Sequence, residues 1–99
     1  MIKHIVLFRL KKEMLQEEKV SLMKRFKQEI EALPNDIDFI RKIEVGLNVN
    51  PTEDFDIALY SEFDDMEDVM RYAKHPKHLA VAALLNDAKE SRSCVDYEF

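Results

Sequence analysis

The segment FDIALYSEFDDMEDVMRYAKHPKHLAVA, residues 55–82, decides how this chain folds. From Phe55 to Phe63 apolar residues alternate, with Phe55, Ile57, Leu59, Ser61 and Phe63 on one face and Ala58 and Tyr60 on the other, the period of a β-strand. Asp64 or Asp65 then offers an N-cap, and Met66, Val69, Met70 and Ala73 recur at helical spacing over residues 66–73. Pro76 lacks an N–H and fixes its own φ, so it ends that helix, holds His75 extended and suits the first position of a second helix. That second helix is expected over residues 76–89, carrying Leu79, Val81, Ala82, Ala83, Leu84, Leu85 and Ala88.

The break gathers chemistry. His78 falls in the first turn of the second helix, where unpaired N–H groups make the local potential positive and disfavour imidazolium. A neutral ring accepts a proton. Tyr72, in the last turn before the break, brings a hydroxyl to the same opening and can hydrogen-bond a substrate oxygen. A zinc site on His75 and His78 is not expected, because no acidic residue stands at a companion spacing.

Outward from this segment, residues 2–10 (IKHIVLFRL) read as a strand, with Ile2, His4, Val6, Phe8 and Leu10 on one face and Ile5 and Leu7 on the other. Residues 16–33 repeat Val20, Leu22, Met23, Phe26, Ile30 and Leu33 at helical spacing, and Pro34 ends the run. Residues 39–49 give a second strand, joined to the third through the polar turn Asn50-Pro51-Thr52-Glu53-Asp54. Ser93 to Phe99 closes the chain as a last strand. The order is β-α-β-β-α-β in one domain, the ferredoxin-like α+β arrangement with its second helix split at Pro76.

Composition narrows the function. The 99 residues carry a net charge of −5, which provides no basic field for nucleic acid or an anionic bilayer. No apolar run approaches the length of a membrane span, and a cytoplasmic location is expected. Gly46 is the only glycine, which rules out glycine-rich phosphate loops and the nucleotide cofactors they hold; no cofactor and no metal are expected. Cys94 is the only cysteine, so neither an internal disulfide nor a cysteine-based zinc site is expected; it reads as a small buried hydrophobe within the last strand. Helices on one face of the sheet leave Ile5, Leu7, Ala58 and Tyr60 on the other, more apolar surface than a monomer leaves wet. A two-fold homodimer, sheet to sheet, is the expected remedy.

The opening I-K-H-I-V-L-F-R-L-K, the segment Ser61-Glu62-Phe63 followed by Tyr72-x-x-His75-Pro76-x-His78, and the ending Val95-Asp96-Tyr97-Glu98 together resemble the stress-responsive dimeric α/β-barrel family across the whole chain. The resemblance implies a ferredoxin-like protomer that forms a dimeric α/β barrel. In a plant polyketide cyclase of that family, a tyrosine and a histidine matching Tyr72 and His78 serve the reaction, and the histidine matching His4 lines the cavity. Tyr72 and His78 are therefore the expected catalytic pair. His4, His75, Phe26 and Leu59 are the expected substrate-binding residues, with Leu22, Met23 and Cys94 as further wall. The function expected is a cofactor-independent cyclase or isomerase acting on a small apolar carbonyl or phenolic compound, with His78 as base and Tyr72 as oxygen donor. The alternative is a non-enzymatic, stress-related dimer that binds a small apolar or aromatic ligand.

Overall fold

A computed structural model describes residues 1–99. The sheet is antiparallel and ordered β2-β3-β1-β4, built from β1 (Ile2–Leu10), β2 (Lys42–Leu47), β3 (Ile57–Phe63) and β4 (Lys89–Glu98). Helices α1 (Gln16–Glu31), α2 (Met66–Lys74) and α3 (Pro76–Ala82) complete the β-α-β-β-α-β order. This is the ferredoxin-like fold, with the second helix divided at Pro76.

β1 lies at the centre and alternates strictly. Ile2, His4, Val6, Phe8 and Leu10 are buried under the helices, while Lys3, Ile5, Leu7 and Arg9 are half-buried on the outer face. The register places Ile5 opposite Tyr60 and Val95, and Leu7 opposite Ala58. The core fills the space between the inner face and α1, where Phe26 and Ile30 are each only 1% exposed and Phe8 meets Phe26 edge to face at 5.6 Å.

Several boundaries differ from those read in the sequence. β2 starts at Lys42, not Phe39, because Ile37 and Ile40 turn inward to the core on the connection that follows α1. β3 starts at Ile57; Asp56 instead ties the strand ends together, its carboxylate accepting from Leu10 N–H at 2.7 Å and its own N–H donating to the Phe8 carbonyl at 2.9 Å. On α2 the buried residues are Val69 and Tyr72, whereas Met66 and Met70 are 41% and 52% exposed. Asp65 is the N-cap, its carboxylate accepting from Asp68 N–H at 2.9 Å.

The largest difference lies after α3. That helix stops at Ala82, the chain tightens into a 3-10 turn over Ala83–Leu85, and β4 begins at Lys89, four residues before the expected Ser93. No glycine or proline marks this stop, so Leu84, Leu85 and Ala88 read as a continuing helix. In the fold, Leu85 and Ala88 are buried while Lys89 pairs with Leu10. The longer β4 is an edge strand whose residues 92–98 are all exposed. Cys94 is accordingly exposed, not buried: the helices do not reach across this edge.

Candidate functional site

The helix break positions two rings against each other. His75 is extended (φ −66°, ψ 133°), as the following proline requires, and its Nδ1 accepts from Lys77 N–H at 3.1 Å, capping α3. One extended residue between α2 and α3 brings the His78 ring to 4.3 Å, centroid to centroid, from that of Tyr72. Tyr72 is 1% exposed, packed on Phe63 at 5.1 Å and edge-on to His4 at 6.2 Å.

The electrostatics follow from burial. The Tyr72 hydroxyl has no hydrogen-bond partner, and loss of solvent pushes its pKa well above the usual phenol range, so it stays protonated and serves as a donor. Burial also lowers the His78 pKa, opposed by the hydrogen bond to Ala73, whose carbonyl lies 3.2 Å from Nδ1. A carbonyl only accepts, so Nδ1 carries the proton and the neutral ring has its lone pair on Nε2. The direction matches the reading from sequence, and burial is its largest cause.

A cavity of about 130 Å³ lies between sheet and helices, lined by His4, Leu59, Tyr72, His78, Leu85 and Arg92 among others. His4, Leu59, Tyr72 and His78 thus share one hollow. Phe26 and His75 do not line it: Phe26 is spent in the core against Phe8, and His75 turns its ring to the α3 backbone. Leu22, Met23 and Cys94 are also outside the lining. Leu22 and Met23 pack at the core's margin.

Sequence reasoning missed a second cluster. His4 is 7% exposed, and its Nδ1 is hydrogen-bonded to the Asp96 carboxylate, which is a quarter exposed on β4. Cys94 Sγ lies 3.7 Å from the same His4 nitrogen and 4.0 Å from Asp96 Oδ2. Burial and the Asp96 charge raise the Cys94 pKa, which keeps the free thiol protonated. His4 is 90 and 92 positions from Cys94 and Asp96 along the chain, and only the β1–β4 register, His4 opposite Asp96 and Val6 opposite Cys94, unites them. The signal available was the Val95-Asp96-Tyr97-Glu98 ending, in which alternation already sets Cys94 and Asp96 on one face.

The antiparallel sheet, divided helix and hollow beneath it define a ferredoxin-like α+β protein. The sequence matches the Stress responsive A/B Barrel Domain over residues 2–99, and the protein belongs to that family. A dimeric protein of unknown function from Bacteroides fragilis is 59% identical, with 99% of this chain and 95% of that one covered at a TM-score of 0.98. A dimeric ferredoxin-like protein of unknown function from Thermobifida fusca superimposes at 0.82 with 21% identity, covering 99% and 90% of the two chains. The hydroxynitrile lyase of Passiflora edulis superimposes at 0.76 with 21% identity, covering 97% and 90%. No curated protein matches the sequence. No helix is long and apolar enough to cross a membrane.

Proposed function

We propose that the protein is a homodimeric acid–base enzyme of the cytoplasm that works without an organic cofactor on a small carbonyl or phenolic compound. Neutral His78 takes a proton from carbon or hydroxyl, and Tyr72 donates to the enolate-type oxygen that develops. The reading rests on one observation above the rest: a buried hydroxyl without a partner, beside the half-buried imidazole of His78, with both residues lining one hollow. An unsatisfied buried hydroxyl costs about 1–3 kcal/mol, and a ligand oxygen would relieve it.

The hollow also bounds the substrate. A cavity of about 150 Å³ holds benzene, so about 130 Å³ suits a compound of roughly ring size or less unless the walls give way. Arg92 at the wall adds a cation that favours an oxyanion. At 21% identity the likeness to a lyase is one of fold, so the reaction class is argued from the residues.

Dimerisation fits the outer face of the sheet. Val95 and Tyr97 are 54% and 44% exposed there, beside half-buried Ile5, Leu7 and Tyr60. Val49, at the hairpin, is 95% exposed. Two copies of that face closing on each other would bury these side chains, and the Bacteroides and Thermobifida proteins are dimers.

The test is deuterium exchange. Small ketones, aldehydes and phenols are incubated with the protein in D2O and followed by NMR for label at the position next to the oxygen-bearing carbon. Labelling that is lost in His78→Ala with the fold intact supports the reading. Ligand-induced thermal stabilisation without labelling or product would favour the binding dimer instead.

A further inference from the structure

We propose that His4, Cys94 and Asp96 form a site for one divalent transition-metal ion of the zinc type where β1 meets the edge strand β4, at the rim of the hollow that His4 shares with Tyr72 and His78. The ligand atoms of the three residues all lie within 4.8 Å of one another. Zinc bonds of about 2.3 Å to sulfur and 2.0–2.1 Å to nitrogen or oxygen, at tetrahedral angles, set donors roughly 3.3–3.6 Å apart. The observed 3.7 Å from Cys94 Sγ to His4 Nδ1 and 4.0 Å from Sγ to Asp96 Oδ2 are close to those edges, whereas His4 Nδ1 and the Asp96 carboxylate, in direct hydrogen-bond contact, must move apart to admit the ion.

The topology builds the cluster rather than leaving it to mobile side chains. Cys94 and Asp96 are two residues apart on β4 and therefore share a face, and His4 is paired directly opposite Asp96 on β1. All three Cα positions are fixed by the strand ladder. Imidazole, thiolate and carboxylate are donors that zinc accepts together, whereas magnesium and calcium prefer oxygen alone. Thiolate and carboxylate supply two negative charges, which balance a divalent ion. Three protein ligands leave the fourth position to water, the arrangement of sites that are open and not purely structural. Access exists, because Cys94 is exposed and the Asp96 side chain is a quarter exposed. Binding replaces the His4–Asp96 hydrogen bond with two bonds to the ion; the thiol proton is released to solvent, and the neutral imidazole binds through Nδ1 with its proton on Nε2.

The site shares His4 with the hollow, but neither Tyr72 nor His78 is among its ligands, and the test keeps metal binding and the proposed acid–base reaction apart. Reduced protein is titrated with Zn2+ against a chromophoric chelator, and with Co2+ followed by absorption. The expected result is one ion per chain, a thiolate-to-cobalt charge-transfer band in the near ultraviolet, and weakening by about 100-fold or more in Cys94→Ser with loss of that band. Asp96→Asn weakens binding as well. His78→Ala leaves binding unchanged. Circular dichroism checks that the variants fold, and substitution of an exposed cysteine leaves the core untouched. Absence of stoichiometric binding, equal affinity in Cys94→Ser, or a comparable loss in His78→Ala would overturn the proposal.

Discussion

The imidazole of His78 rests against the phenol of Tyr72, centroids 4.3 Å apart and planes inclined by 49°, although the two side chains belong to different helices. Tyr72 lies under this contact with its hydroxyl unpaired. Tyr72→Phe removes that hydroxyl and keeps the ring, so the apoprotein should gain about 1 kcal/mol in stability, read as a higher urea midpoint at unchanged slope. Turnover in the proposed reaction should fall by about 100-fold or more. A variant less stable than the parent would mean that the hydroxyl is already hydrogen-bonded in solution.

His78 makes stability depend on pH. Its folded pKa lies below the ordinary 6.5, so between the folded and unfolded values the unfolded chain binds more protons. Stability from this group is complete above about 6.5 and declines as the pH drops through the folded value. Denaturation midpoints measured from pH 7.5 to 5 should therefore fall less steeply in His78→Gln than in the parent. Parallel curves would remove His78 from this account.

Phe26 belongs to the core. At 1% exposure, with its ring edge-on to Phe8, Phe26→Ala should cost about 3–5 kcal/mol, a large share of what a chain of this size holds. Leu59→Ala opens the same core but also lines the cavity, so only that variant should widen ligand acceptance. Binding of bulkier phenols, measured by calorimetry, separates the two.

The outer face predicts assembly. Light scattering should give twice the 11.7 kDa chain mass for the parent, and Ile5→Glu should move the protein toward one chain mass by placing a charge in the centre of the joined sheets. A parent that stays at one chain mass at micromolar concentration would exclude the sheet-to-sheet dimer.

Legibility from the sequence followed periodicity. β1, α1 and β3 were evident because one spacing ran through each, and Pro76 marked the division between α2 and α3 because proline acts through its own covalent geometry. The end of α3 was hidden: Leu84 and Leu85 prolong the helical pattern, and only burial of Leu85 and Ala88 against β1 makes the chain turn early. At the site, neighbours in sequence such as Tyr72 and His78 were readable, whereas Asp96 beside His4 depended on strand register across 92 positions. Phe26 and His4 were alike on paper as residues of an inner face. Which of them meets a hollow depends on where helices stop, and no local pattern carries that.

The division of α2 from α3 by a single extended residue separates two duties that many small domains combine. Cross-strand pairing and the Phe8–Phe26 contact hold the chain together, while Tyr72 and His78 ride on short segments above. Substitution at half-buried His78 can reshape what the hollow admits at less risk to the scaffold than substitution at Tyr72, which is part of the core. One architecture can in this way be retuned for new small molecules by changing a few side chains around residue 76.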